Sequence, residues 1–210
     1  LVKIGVPASG EQLIMRAGMM GFVRIVAGLG TTVFAAHNIA ISVLSLSFNP
    51  GMAFGIASAS LVGFSLGKGS PEMAEKYSRS ARRMGSMIST GIAVLFFAFA
   101  PQLASLFNRD PEVIRNAALA LRIIALIQPF QSSQLILAGA LRGAGDTIWA
   151  MIATIVGVVM IRISLALLFI NILGWGLGGA WIAVLIDQFI RWAIIYGRFR
   201  SGMWKHIKIR

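Results

Sequence analysis

A small number of ionisable side chains interrupt otherwise apolar stretches of this chain, and these are the residues that could do chemistry. A charged side chain at the centre of a bilayer costs about 2.5–3.5 kcal/mol, so each one needs a partner, access to the membrane interface or a function. The ionisable residues in apolar surroundings are Glu11, Arg16, Arg24, Arg122, Arg162, Asp187 and Arg191.

We predict a polar pathway for a substrate or a cation, formed by a stripe on one helix and a cluster on another. Its residues are Glu11, Gln12, Arg16, Gln128, Gln131 and Gln134. A carboxylate such as Glu11 can bind a proton or a cation, and glutamine amides offer both donors and acceptors to a cavity wall. Two alternatives stay open. Glu11 could lie at the inner headgroup level and balance positive charge there, and the glutamines could form hydrogen bonds between helices.

The remaining charged residues have simpler interpretations. Asp187 and Arg191 are four residues apart, so we predict an ion pair on one helix face close to the inner membrane surface. Arg24 and Arg122 lie near outer helix ends, from which a long side chain reaches the interface. Arg162 follows about 15 apolar residues near the middle of its helix, so it must face a partner or water.

The segment Gly143-Ala144-Gly145-Asp146 matches motifs of two kinds of enzyme site. A phosphate-binding glycine loop follows a strand, whereas a helical stretch precedes this segment. An intramembrane aspartyl protease needs a second carboxylate close enough to share a proton. The other membrane aspartate, Asp187, is expected to be held ionised by Arg191. The protease is therefore only a remote alternative, and we predict no catalytic residue and no enzyme.

The same segment is better explained as a cytoplasmic turn between two helices. In this interpretation Arg142 faces the cytoplasm, and Gly143 and Gly145 allow the chain to reverse. Asp146 then caps the positive end of the following helix.

The composition is that of a membrane protein. Hydrophobic residues make up 57% of the 210 residues, charged residues 12%, and the mean hydropathy is +0.81. A soluble domain carries about 25% charged residues. The absence of cysteine excludes disulfides, thiolate chemistry and cysteine-based metal sites. We predict neither a metal site nor a cofactor.

Charges and turn residues divide the chain into six predicted transmembrane helices, because about 20 apolar residues cross a bilayer. The uncharged run from Ile25 to Gly67 is 43 residues long, about 64 Å as a straight helix. We predict one helix bent at Pro50 rather than two short crossings, and a second bend at Pro129. The predicted fold is an all-α six-helix bundle that forms one membrane lobe over residues 1–210. Its helices span about 4–27, 33–67, 78–100, 113–141, 147–173 and 178–197, and a basic tail follows at 198–210.

The distribution of basic residues predicts the orientation. In this topology twelve lysines and arginines lie on the side of the two termini, and only Arg109 and Arg115 lie on the other. Because cytoplasmic loops accumulate basic residues, both termini are predicted to be cytoplasmic. Topology thus explains the net charge of +12, so we predict a lipid bilayer and no nucleic acid as a partner.

Four stretches together resemble one transporter family. They are Ile4-Gly5-Val6-Pro7, Ala35-Ala36-His37-Asn38-Ile39-Ala40, Val62-Gly63-Phe64-Ser65-Leu66-Gly67 and Leu141-Arg142-Gly143-Ala144-Gly145-Asp146-Thr147. In this order, over nearly the whole chain, they are similar to the second six-helix lobe of a multidrug and toxic-compound extrusion (MATE) transporter.

The resemblance implies a plasma (inner) membrane protein of twelve helices, with two lobes around a cleft. Such a protein exports small amphipathic, often cationic compounds in antiport with H+ or Na+ by alternating access. Because the chain opens with Leu1 rather than Met, we expect a fragment or one half of a longer protein, with the N-terminal lobe missing. Some branches bind their coupling cation at positions that fall near Met15 and at Gln131 here. Since Gln131 cannot release a proton, the resemblance implies a key carboxylate in the other lobe.

A flippase for lipid-linked oligosaccharides or another anionic lipid precursor is the main alternative. Arg16, Arg122 and Arg162 could face an anionic headgroup. Arginines lining the cleft would favour this alternative, whereas paired or lipid-facing arginines would favour the drug exporter.

Overall fold

The computed structural model describes the backbone of residues 2–207 and the side chains of residues 9–207. Within that range the chain forms six long helices, one short helix and a final 3-10 turn. The helices are α1 (Val2–Ala27), α2 (Thr31–Gly67), α3 (Pro71–Ala98), the short α4 (Ala100–Ser105), α5 (Pro111–Gly143), α6 (Thr147–Ile172) and α7 (Gly176–Arg200), and the turn is Met203–His206. Residues 208–210 of the predicted basic tail lie outside the described residues.

The all-α fold class predicted from the sequence is confirmed. By length and composition, four of the helices in the described part of the chain are apolar enough to cross a membrane: α2, α5, α6 and α7. α1 and α3 are more polar, because Glu11, Arg16 and Arg24 lie along α1 and charged residues fill the first half of α3. A membrane crossing by these two helices stays a prediction.

α5 lies at the centre of the bundle and packs against α2, α3 and α7. It is the most buried helix, because one of its faces meets α2 and others meet α3 and α7. Pro50 lies inside α2 and Pro129 inside α5, and both helices continue past their proline. The prediction of a single helix across Pro50 is therefore confirmed.

Glycines let the backbones of α2 and α5 touch. A Cβ added at Gly139 would overlap the carbonyl oxygen of Gly55, and one at Gly143 would overlap that of Ala59. Small residues at four-residue spacing commonly serve this purpose in membrane bundles. Gly143, predicted as a turn residue, is the last residue of α5 directly before the turn, and its missing side chain also admits α2.

The turn between α5 and α6 depends on Gly145. This residue has φ +80°, a conformation that favours glycine. Asp146 donates its backbone N–H to the carbonyl oxygen of Leu141 at 2.8 Å, which closes the end of α5. The predicted side-chain cap by Asp146 is wrong. Its buried carboxylate instead accepts a hydrogen bond from Arg198 Nε at 2.6 Å, a stronger, charge-assisted partner than a backbone amide.

α6 is not a uniform α-helix. Residues Ile155–Arg162 and Leu168–Ile172 are π-helical, with α-helical turns before and between them. Ile155–Ile163 is rich in β-branched residues, which lose rotamer freedom in a helix. Short π-helical segments are frequent at functional sites, and the first one here ends at Arg162.

Ion pairs fix the C-terminal turn to α3. Lys205 pairs with Glu75, which also accepts a hydrogen bond from Arg79 Nε at 2.7 Å. These two partners, Lys205 first, lower the pKa of Glu75 below its usual value. The buried indole of Trp204 donates to the carbonyl oxygen of Phe199 at 2.9 Å. Residues 198–200 of the predicted basic tail belong to α7, which ends at Arg200.

Gly139→Ala tests the contact between α2 and α5. We expect a loss of about 1–3 kcal/mol in stability, because the new methyl group would meet backbone, which no side-chain rotation relieves. Gly91→Ala in α3 is the control, since its Cβ would point into open space and alanine favours a helix. Thermal unfolding of the purified proteins gives the comparison. Equal unfolding midpoints for Gly139→Ala and Gly91→Ala would contradict a close contact between α2 and α5 at Gly139.

Candidate functional site

A cavity of about 460 Å³ lies between α1, α2, α5, α6 and α7 and opens to the surface beside exposed residues such as Met19 and Ser45. Its apolar wall includes Met15, Met19, Phe22, Leu44, Phe48, Ile127, Trp181 and Val184. Its polar wall consists of His37, Ser45, Asn49, Gln131, Gln134, Arg162, Gln188 and Arg191. A concave, mainly apolar space with a few convergent polar groups has the size and character of a small-molecule site.

His37 closes one part of the cavity from α2. It is 1% exposed and lies among aromatic rings, with centroid distances of 5.8 Å to Phe22 and 5.5 Å to Trp181. Neither ring nitrogen has a hydrogen-bond partner among the described residues. The sequence contained His37 within a family-like motif but gave no reason to place it in a site.

A buried ion pair joins α6 to α7 beside the cavity. Arg162 donates from Nε to Asp187 Oδ2 at 2.9 Å, and its Nη2 donates to the same oxygen. Asp187 is fully buried and Arg162 is 7% exposed. The expectation that Arg162 must face a partner or water is therefore confirmed.

The predicted ion pair between Asp187 and Arg191 is wrong. Asp187 pairs with Arg162 across the helix contact, where the guanidinium supplies two N–H groups to one oxygen. Arg191, one turn away on α7, donates only a long bond of 3.5 Å from Nη2 to Thr154 Oγ1. Both α7 residues are buried inside the bundle.

Gly157 makes this arrangement possible. A Cβ at Gly157 would overlap Asp187 Oδ1 and Arg191 Cγ. A larger residue at this position would force the side chains of Asp187 and Arg191 to shift. The glycine thus lets these two charged side chains pack against α6.

A second ion pair joins α1 to the end of α5. Arg142 Nη2 donates to both carboxylate oxygens of Glu11, at 2.7 and 2.9 Å, and Thr154 Oγ1 donates to Glu11 Oε1 at 3.4 Å. Glu11 is 4% exposed and is absent from the cavity lining. The pair with Arg142 agrees with the alternative in which Glu11 balances positive charge, and the depth of both residues in the membrane stays a prediction.

The other predicted pathway residues are divided between the cavity and its surroundings. Gln131 and Gln134 line the cavity. Gln128 instead donates from Nε2 to Ser47 Oγ at 2.6 Å, the interhelical hydrogen bond considered as its alternative. Gln12 and Arg16 are exposed on α1, outside the cavity. The structure therefore does not bring the six residues together at one site.

The two aspartates of the protease hypothesis are held apart by different partners. Asp146 pairs with Arg198, whereas Asp187 pairs with Arg162. Aspartyl proteolysis requires two carboxylates that share one proton, so this geometry does not support it.

Comparisons with known proteins identify a common family. The MatE family model matches residues 7–168. The probable multidrug resistance protein NorM of Thermotoga maritima is 30% identical over 205 residues, which are 98% of this chain and 44% of that protein. The chain thus spans less than half the length of this curated relative.

Solved structures share the fold. One, described as the outward-facing conformation of a multidrug resistance MATE family transporter, has a TM-score of 0.87 at 23% identity over 98% of this chain and 47% of that one. Another, described as an inward-facing conformation, has a TM-score of 0.85 at 22% identity over 99% of this chain and 49% of that one.

Asp187→Asn should destabilise the protein more than Arg162→Gln. Without Asp187, two buried guanidinium groups lose their carboxylate, and breaking a buried pair costs about 3–5 kcal/mol. Without Arg162, Arg191 remains one turn from Asp187 to balance its charge. Arg79→Gln, which breaks an exposed pair, is the control, and its effect should stay within about 1 kcal/mol. Thermal unfolding ranks the three variants. Equal losses for Asp187→Asn and Arg162→Gln would contradict this electrostatic account.

Proposed function

Since the chain belongs to the MatE family, we propose that it is one six-helix lobe of a secondary active multidrug exporter in the plasma (inner) membrane. The exporter expels amphipathic, often cationic compounds in exchange for H+ or Na+. Both ends of this lobe face the cytoplasm, and an N-terminal six-helix lobe completes the protein. The chain covers 44% of its Thermotoga relative, which leaves room for such a lobe.

The observation that carries this proposal is the cavity inside a lobe of this family. Its volume of about 460 Å³ suits a small organic molecule. Met15 and Met19 form part of its wall, and flexible methionine side chains adapt to ligands of different shapes. These properties support a binding site that accepts several amphipathic compounds.

Alternating access is proposed to come from rocking of this lobe against the other. The same helix arrangement matches an outward-facing and an inward-facing transporter almost equally well, as expected for a lobe that moves largely as one body. Pro50 and Pro129 are the proposed hinges, because a proline removes one backbone hydrogen bond from its helix. Pro129 lies one turn from Gln131 and Gln134, so bending there would reshape the cavity.

The coupling carboxylate is proposed to lie in the other lobe. Glu11 is the acidic residue of α1, but both of its oxygens accept hydrogen bonds from Arg142. Both oxygens of Glu11 thus face a fixed positive charge, which opposes binding of a coupling cation there. Asp187 is paired with Arg162 through one of its oxygens.

The positions of the arginines favour the drug exporter over the lipid flippase. Arg162 lines the cavity but is paired with Asp187. Arg16 and Arg122 are exposed outside the cavity. The three arginines of the flippase hypothesis therefore do not converge on the cavity.

Drug-sensitive cells that express the full-length protein should accumulate less ethidium than cells with an empty vector. An exporter lowers the steady-state level of a fluorescent cation, and dissipating the H+ or the Na+ gradient should restore accumulation and identify the coupling ion. Cell fluorescence is the readout, with the amount of inserted protein measured in parallel. Unchanged accumulation despite correct insertion would contradict multidrug export.

A further inference from the structure

Arg191 is a buried guanidinium that, among the described residues, lies near the carboxylate of Asp187 but forms no salt bridge. Its side chain is 4% exposed and lines the cavity. The two carboxylates of the cluster, Glu11 and Asp187, form their ion pairs with Arg142 and Arg162. Three guanidinium groups thus face two carboxylates, and the excess of one positive charge rests on Arg191.

Further polar atoms without partners surround the same cavity. Among the described residues, they are both ring nitrogens of His37, Oε1 of Gln131 and of Gln134, Nε1 of Trp181 and Nε of Arg191. Each of these five residues lines the cavity. Buried polar groups in proteins are nearly always hydrogen-bonded. Such a concentration around one cavity is typical of a site whose ligand completes the hydrogen bonds.

The chemistry of the walls defines this ligand. Water can satisfy hydrogen bonds but does not neutralise a buried guanidinium, which needs a negative partner. A small inorganic anion would leave most of a 460 Å³ cavity unfilled. The methionine and aromatic side chains of α1, including Met15, Met19 and Phe22, offer an apolar surface for the rest of a larger molecule.

We propose that this cavity binds the acid group of an amphipathic organic anion. Arg191 is the counter-charge for its carboxylate or sulfonate, and the side chains of α1 receive its aromatic or hydrocarbon body. Gln134 and Trp181 complete the polar contacts. The proposal rests on the proposed export function and specifies one substrate class for it, in addition to cationic compounds.

Two fluorescent probes that differ by one acid group test the proposal. 1-Anilinonaphthalene-8-sulfonate carries a sulfonate, and N-phenyl-1-naphthylamine has the same ring system without it. Both are titrated into the full-length protein in nanodiscs, with empty nanodiscs as background. Arg191→Gln should weaken binding of the sulfonate by about tenfold or more, as expected for a lost charge-assisted hydrogen bond. Binding of the neutral probe should change by less than about twofold, since this substitution leaves the apolar wall intact.

Two control variants separate a site effect from a general charge effect. Arg200→Gln removes a positive charge from the exposed end of α7, and it should leave both affinities unchanged. Arg191→Lys keeps the charge but not the fork of donors, so it should retain part of the preference for the sulfonate. Equal losses for both probes in Arg191→Gln, or no loss for either, would overturn the proposal.

If Arg191→Gln does not fold, competition on the wild-type protein decides. 1-Naphthalenesulfonate should displace the bound sulfonate probe, whereas 1-naphthalenemethanol at the same concentration should not. Equal displacement by the two compounds would overturn the proposal.

Ethidium export separates this proposal from the proposed function. Export of ethidium without any Arg191-dependent binding of the sulfonate would refute the acid-binding cavity and leave the exporter intact. Arg191-dependent binding of the sulfonate in a protein that exports no compound would support the acid-binding cavity and refute the exporter.

Discussion

The need to neutralise charges in an apolar interior determines how this lobe is assembled. Two buried carboxylates each bind an arginine from another helix: Glu11 of α1 binds Arg142 of α5, and Asp187 of α7 binds Arg162 of α6. Charged groups this deep are tolerated only with good geometry. These two ion pairs therefore fix the helices relative to one another. Asp187 has a second arginine nearby, Arg191, one turn away on α7.

Close helix packing is the second requirement, and glycines provide it. Gly157 admits Asp187 and Arg191 against α6, while Gly139 and Gly143 admit α2 against α5. The cavity is the space that remains where these contacts end. Its apolar wall comes mostly from α1 and α2, and the charged groups that line it come from α6 and α7. The cavity thus combines an apolar surface that includes methionine side chains with two charged groups, a suitable arrangement for ligands that vary in their body but share a polar group.

Periodicity, charge and glycine position were enough to predict six helices, the unbroken α2 across Pro50 and the partner requirement of Arg162. The partners themselves were not predictable, because they depend on helix rotation. Asp187 was assigned to Arg191 from spacing alone, whereas its partner, Arg162, lies on another helix. Asp146 and Arg142 were likewise assigned roles in a turn from the local sequence alone. Their partners, Arg198 and Glu11, are far away in sequence. Most of the fold could therefore be predicted from the sequence. Of the six predicted pathway residues, only Gln131 and Gln134 line the cavity.

The excess positive charge that Arg191 brings to the cavity can be measured by cysteine modification. Because this chain contains no cysteine, Ser45→Cys places one thiol in the cavity wall once any cysteines elsewhere in the full-length protein are replaced. Its reaction rates with an anionic and a cationic methanethiosulfonate reagent report the local potential. We predict that Arg191→Gln lowers the ratio of the anionic to the cationic rate several-fold, and that Arg200→Gln does not. An unchanged ratio in Arg191→Gln would show that Arg191 adds no positive potential to the cavity.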